Sequence, residues 1–587
     1  MSGEWYAATR DYTRRLAQVR GVSPSADENR VTELALRLLR EGGLDDAYTL
    51  SGLDPIEGDP HGRHNAYAFL RGQSSRAVVL LGHVDTVGAD DYGALEPWAF
   101  DPDALAARRE LLEGLGPDVA ADLAAGPDDW MFGRGVADMK SGVAATIAVM
   151  RRLAEKARAG SPPPLSVVLL ATVDEENESA GVLQAVRFLH ALRERHGLAY
   201  AGVVNTDYTA ARYPGDPHRY IYVGTVGKLL PSIFVVGQAT HAGDPFAGLD
   251  ANLLAAELVR DLSMNTDLCD AVRGEVAPPP VTLHAADLKT GYDTQLPFAA
   301  AFYLNVVTLT TSPATLLARL RGRAETVLAG LLARLNVAAE DWLRATALTP
   351  RRSLPGVGEG ETSSNTPEIH PNHNVNVQDR GRARSGTVLT YAELRAETAA
   401  RLGEDLVADA LSAEWDRWPL DEDKRERCLR LVRRLGALSG RQGPAVVLYY
   451  APPYYPHVAA LPASGVPDAL SKAVAAVAAA HPELNLVVRE YFPLLSDLSY
   501  LRLDPALDLA ALRDNMPVWR EASACAPPRA GSYSLPIEAM RALDLPVVNV
   551  GPYGRAVHQA GERVLMPYSF GVVPQLIYET IERLARL

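Results

Sequence analysis

Cysteine is scarce. The 587 residues contain three, Cys269, Cys428 and Cys525, far apart and in no CxxC spacing. A disulfide framework is not supported, a reducing compartment is the simpler reading, and none of the three has an activating neighbour. Long apolar runs are missing too: no stretch approaches the roughly 20 residues that a membrane span needs. Met1–Arg20 carries Glu4, Asp11, Arg14 and Arg15 and reads as an amphipathic helix without the apolar core of a signal peptide. Basic charge is in deficit, with 58 Lys and Arg against 72 Asp and Glu. That argues against a nucleic-acid groove and an anionic membrane surface, both of which attract basic proteins. It says little about a small substrate, because the local field in a cleft can oppose the global sign. No internal repeat is present. The expectation is a soluble, cytoplasmic chain whose partner is a small molecule.

What is there is ordinary globular material, 47% apolar and 22% charged, in a chain long enough for two or more domains. Ala77–Gly82, Ser166–Val173, Ala201–Asn205 and Leu545–Val550 are short, Val- and Leu-rich and apolar on both faces, as buried strands are. Ser141–Ala157 and Ala180–Glu194 have helical spacing between them. The fold class is α/β with a largely parallel central sheet fed from both ends of the chain. In the middle, strands Leu229–Val236, Ala299–Leu309 and Thr387–Tyr391 alternate with helices Asp250–Leu262 and Pro313 to about Leu335. That order fits a small ferredoxin-like α+β unit inserted into the larger domain. Ser353–Ser385, rich in Gly, Pro, Asn and Ser, reads as a long loop whose His370 and His373 are solvated. Gly88–Trp130 is an apparent insertion without a readable role.

Chemistry gathers where strands end. The first strand runs into His83-Val84-Asp85-Thr86; residues i and i+2 share a side, so Asp85 can fix the tautomer of a ligating His83. Next comes Gly133-Arg134-Gly135-Val136-Ala137-Asp138, a glycine-rich turn into a helix. Alone, Asp138 reads equally well as a capping carboxylate. The strand ending at Val173 delivers Asp174-Glu175-Glu176-Asn177-Glu178. Adjacent carboxylates after so apolar a strand repel one another and lose solvation, a conflict that a bound cation removes. A further strand ends at Asn205-Thr206-Asp207, and the last leads through Gly551 to His558 and Glu562. Ligands of open α/β sheets collect outside the carboxyl ends of strands, and acids and histidines follow strand after strand here.

The series resembles the M20 family of metallopeptidases and amidohydrolases, with HVDT, GRGVADMKSG, VDEE, NTD, a late His and His241-Ala242-Gly243-Asp244 in that family's order. LKTGYDTQLP, APPYYPH and SDLSY narrow the likeness to the RocB-like, arginine-utilisation branch. The resemblance implies a zinc-exopeptidase-like catalytic domain in two parts, 1–222 and 395–587, around an inserted lid and dimerisation domain, 223–394. It implies two divalent metal ions, best suited to zinc with cobalt or manganese as substitutes. Asp138 would bridge them, His83 and Asp207 would complete one site, and Glu176 and His558 the other. Asp85 would orient His83, and Glu175 would take a proton from the water between the metals. His241 would stabilise the developing oxyanion, commonly across a dimer interface.

One departure concerns the lid. Where many relatives end the strand corresponding to Ala299–Leu309 in an Arg, this chain has Asn305 and its neighbours but no Arg. Tyr292, Gln295, Tyr454 and His457 could line a rebuilt substrate pocket, or simply pack in loops. Asp497 sits where the family often has an acidic turn near the substrate, and Arg555, close to His558, could reach it. The implied function is hydrolysis of an amide or peptide bond in a small amino-acid derivative or dipeptide, with an arginine- or ornithine-related compound as candidate. The rival is a non-catalytic, metal-stabilised binding or regulatory protein of arginine catabolism. Glu175 and His241 favour the enzyme, since neither is needed to hold metal. Phosphoester cleavage is disfavoured by the lack of an Arg or Lys cluster beside the ligands.

Overall fold

Apolar residues on both faces of a strand demand cover on both sides, and the computed structural model supplies it. It describes residues 3–348, 385–419, 422–459, 467–504, 506–520, 529 and 531–587. His370, His373, Cys525 and nearly all of the Ser353–Ser385 loop lie outside these residues. The larger sheet runs in the order Leu50–Pro55, His64–Leu70, Ser166–Thr172, Arg76–His83, Ala199–Asn205, Val547–Asn549, Arg219–Tyr222, Leu486–Arg489. Its centre is parallel, from Ser166–Thr172 to Val547–Asn549, and antiparallel pairings flank that centre on both sides. Leu545–Val550, from the carboxyl end of the chain, is thus a central strand, as its sequence implies. Helix Ser141–Arg158 packs between the amino-terminal helix Gly3–Ala17 and the last helix Val573–Leu584. Helix Ala180–His196 buries Val182, Val186 and Leu189 in a separate core with Val168 and Leu170.

The second sheet has the order Val281–Asp287, Ala299–Thr308, Gly227–Val236, Ala445–Tyr455, Thr387–Thr390. The four strands from 227–390 keep the β-α-β-β-α-β order of a ferredoxin-like unit. A fifth, Ala445–Tyr455, is wedged between the first and the last, antiparallel to one and parallel to the other. This fifth strand thus comes from beyond residue 394, the end expected for the inserted unit. The segment AVVLYYAPPYY is buried along its whole length. Its two prolines lack ladder donors, which gives it the look of a loop, and the pairing with Gly227–Val236 shifts between Ala451 and Tyr455. The helix from Pro313 also runs beyond the expected Leu335 to Leu348. Its added turns contain good helix formers, and Arg344 bonds Glu340 at 3.2 Å and Asp341 at 2.8 Å.

Candidate metal centre

His83 is the last residue of its strand; one parallel neighbour ends level with it, His83 pairing with Thr172, and the other ends close by at Asn205, opposite Leu81. The residues that follow these strands are thereby delivered to one place. Two groups of donors result. Ligand atoms of His83, Asp138 and Asp207 lie within 4.8 Å of one another, and so do those of Asp138, Glu176 and His558. Asp138 belongs to both. One carboxylate oxygen is 3.0 Å from His83 Nε2 and the other 3.3 Å from His558 Nε2. His558 Nε2 is also 2.9 Å from Glu176 Oε1. Glu175 stands beside both groups, with Oε2 3.9 Å from His83 Nε2.

Each donor is held by the chain around it. Gly135 takes a left-handed conformation, φ 78°, that turns the chain toward Asp138. Asp85 Oδ1 lies 3.4 Å from His83 Nδ1, and its Oδ2 accepts the Glu176 backbone N–H at 3.0 Å. One carboxylate thus serves an imidazole of one group and the backbone of the other. Asp174 is turned to φ 68° and fastened under the site. Buried Arg63 bonds both it and Glu28, and the Asp174 N–H donates to Glu28 at 2.8 Å. The backbone of Asp207 is clamped by the Asn549 side chain, which accepts from its N–H at 2.9 Å and donates to its carbonyl at 2.8 Å.

His558 lies in the loop between strands Gly554–Arg555 and Arg563–Leu565, which join Trp130–Phe132 in a small antiparallel sheet. It too is left-handed, φ 60°. The Gly88–Trp130 insertion finds its place here. Its Asp91 and the carbonyl of Gly88 bind Arg134, which reaches Glu562 at 2.8 Å. Its Asp122 bonds Arg563 at 2.6 Å and Arg555 at 2.8 Å. The insertion therefore buttresses the loop that carries His558.

The electrostatics match the geometry. Burial pushes Glu175 and Asp207 well above the usual carboxylate range, and neighbouring carboxylates add to it: Asp497, Glu176 and Asp207 for Glu175, Asp138 and Glu176 for Asp207. Burial and Asp138 raise Glu176. Burial opposes ionisation of Asp138 as well, but hydrogen bonds from His558 and His83 hold it below the usual range. Hydrogen bonds to Asp138 and Glu176 push His558 up to about 10. Buried carboxylates outnumber the imidazoles between them, a charge imbalance that low-dielectric surroundings make costly and divalent cations would relieve.

The remaining expected residues divide. Asp497 is buried close to the centre, accepts from Thr172 Oγ1 at 3.3 Å and feels the His83 charge. Asn305 lies in the strand Ala299–Thr308 of the second sheet. His241 and Gln295 form a bridge with each other on an exposed turn, and His241 Nδ1 accepts from Gly243 N–H. Tyr292 is 96% exposed. Tyr454 is core, its carbonyl accepting from Tyr500 and Tyr533. His457 packs behind Gly227, where burial lowers its pKa. Arg555 is bound by Asp122 and lies against the Trp130 ring, on the side of the insertion. The sequence reading missed Asn549, Arg134 and Asp122 as supports. Asn549 had a signal, since it ends a central strand; Asp122 had none.

Donors at the carboxyl ends of a mixed α/β sheet, with a second α+β sheet unit set into the chain, are the arrangement of a metal-dependent hydrolase. The chain belongs to peptidase family M20/M25/M40, whose model matches residues 79–509. It is 32% identical over 513 residues to the uncharacterised protein YqjN of Bacillus subtilis, covering 87% of this chain and 84% of that one. It is 29% identical over 531 residues to the protein RocB of the same organism, covering 89% and 85%. Among solved structures, the aminopeptidase PepT of Bacillus cereus aligns over 99% of both chains with a TM-score of 0.48 and 11% identity. Among the described residues, no helix is long and apolar enough to cross a membrane.

Proposed function

We propose that the protein hydrolyses an amide or peptide bond in a small amino-acid derivative or dipeptide, using two divalent metal ions at the paired donor groups. The observation that carries this reading is the sharing of Asp138 between two groups of donors, with the unshared carboxylate of Glu175 alongside. His83, Asp138 and Asp207 would hold one ion and Asp138, Glu176 and His558 the other. Imidazole with carboxylate suits zinc, and cobalt or manganese would substitute. Bound there, the ions supply Lewis acidity, polarising the scissile carbonyl and lowering the pKa of water from about 15.7 toward 7.

The chain's own residues do the rest. Glu175 accepts the proton of the attacking water and passes it to the leaving nitrogen; burial has already raised its proton affinity toward such a role. Asp85 orients His83. His241, exposed on the second sheet unit, would serve the oxyanion after closure of that unit as a lid or from a second subunit, so a homodimer and a lid role for the unit accompany the proposal. The phrases LKTGYDTQLP, APPYYPH and SDLSY support an arginine- or ornithine-related substrate, and the scarcity of cysteine supports a cytoplasmic setting.

The test is a metal-reconstituted activity screen over N-acyl amino acids, dipeptides and arginine-pathway intermediates, with Glu175→Ala as control. Turnover by the parent and its loss in a variant that keeps both metals supports the reading. A Glu175→Ala protein as fast as the parent removes Glu175 from the mechanism.

A further inference from the structure

On the second sheet, Lys228 lies in the field of Arg425 and of Glu175, and Lys424 precedes Arg425 in the chain. Lys424 pairs with Glu178, and Arg425 pairs with Asp423. Lys228 has neither a hydrogen-bonded nor an ion-paired partner among the described residues. It is the second residue of the strand Gly227–Val236, opposite Tyr455 on one neighbouring strand and Val307 on the other. Its Nζ lies 6.0 Å from the centre of the Tyr455 ring. The Tyr455 hydroxyl in turn meets Ser179 Oγ at 3.1 Å, at the end of the segment that carries Glu175 and Glu176. By strand alternation Asn305 shares the Lys228 face.

An ammonium group half removed from water without a partner is costly. Burial lowers the Lys228 pKa to about 8, the Arg425 charge adds to this, and Glu175 opposes it, which places the amine in the field of the metal centre. Arg425 and Lys424 are already neutralised, so Lys228 leaves one positive charge to be met. A carboxylate answers that charge; a dianion such as a phosphate would leave excess negative charge beside the carboxylates of the centre. The strand Ala299–Thr308 carries no Arg that could do the same work.

We propose that Lys228 is the specificity-determining residue that receives the carboxylate of the substrate, holding it beside Tyr455 and Asn305 while the scissile amide lies at the metal centre. The inference rests on the hydrolase reading for its placement of the amide, and its test separates the two. The zinc-reconstituted protein, Lys228→Met and Lys228→Arg are compared on the best acid substrate of the screen and on the same compound with a carboxamide in place of the carboxylate. Loss of a charge-assisted contact is expected to raise KM for the acid roughly 10- to 100-fold in Lys228→Met. The carboxamide should be unaffected, kcat should change little, and Lys228→Arg should recover part of the loss. Equal losses on acid and carboxamide, or an unchanged KM for the acid, overturn the proposal. A readout free of turnover is calorimetric binding of N-acetylglycine against N-acetylglycinamide. A preference for the acid that disappears in Lys228→Met supports Lys228 even where no amide is cleaved, and that failure then falls on the hydrolase reading. No preference in the parent overturns the role of Lys228.

Discussion

Glu562 Oε1 accepts the backbone N–H of Asp138 at 3.3 Å, while its Oε2 holds Arg134 at 2.8 Å. The residue shared by both donor groups is thus fixed from behind by a carboxylate four places after His558. Both partners of the ion pair are buried, with side-chain exposures of 0% for Glu562 and 1% for Arg134. Removing Glu562 breaks a buried pair, which costs up to about 3–5 kcal/mol, with Asp91 left as the remaining carboxylate on Arg134 at 2.7 Å. Glu562→Ala is expected to lose stability on that scale in chemical denaturation and to bind metal less tightly. A variant as stable as the parent would show that water reaches Arg134 and that the pair does not hold the turn.

Asp138 and its partners should differ in what they take away. Asp138 contributes to both groups, Asp207 only to the one with His83, and His558 only to the one with Glu176. Asp138→Asn is therefore expected to lose metal from both sites. Asp207→Ala and His558→Ala should each retain about one equivalent, less tightly held. Elemental analysis of dialysed protein decides this, and equal losses in all three would merge the two groups into one site.

Much of this was legible because strand-end chemistry is local. The apolar runs before His83, Asp174 and Asn205 mark buried parallel strands, and the acids that follow them have nowhere else to go. The partition of the second sheet was harder to read. Ala445–Tyr455 carries Pro452 and Pro453, so its strand character rests on partners distant in sequence, Gly227–Val236 and Thr387–Thr390. The partner of Arg555 was unreadable for a similar reason: its proximity to His558 is evident in sequence, whereas Asp122, which binds it, lies 433 residues distant. Lys228 had no signal at all, since an isolated Lys at the start of a strand is ordinary until its surroundings are known.

Gly551 tests the packing behind Asp207. A Cβ there would come 1.6 Å from the Asp207 carbonyl oxygen, so the two backbones lie closer than any side chain allows. Overpacking of this kind costs about 1–3 kcal/mol where neighbours can yield. Here the neighbour is backbone, itself clamped by Asn549. Gly551→Ala should reach or exceed the top of that range in a thermal melt, and the surviving folded protein should lose the metal held with Asp207 before the other. A variant that melts with the parent would mean that the two segments separate at little cost.

Asp54 predicts a pH dependence remote from the metal centre. Its Oδ1 accepts from Gln184 at 3.3 Å, and its Oδ2 is buried without a partner. Burial raises its pKa from 3.8 to about 6, with Gln184 opposing. Because the folded value lies above the unfolded one, the unfolded chain gives up this proton first as pH rises. The carboxyl therefore costs nothing below about pH 4, the cost grows between about pH 4 and 6, and it is complete above. Asp54→Asn, which cannot ionise, should match the parent at pH 4 and exceed it at pH 7. Solvent screening of a half-buried group limits the gain to about 1 kcal/mol. Urea denaturation of both proteins at the two pH values measures it. A gain of the same size at pH 4 would assign the effect to amide hydrogen bonding, and no gain at pH 7 would mean that water reaches Oδ2.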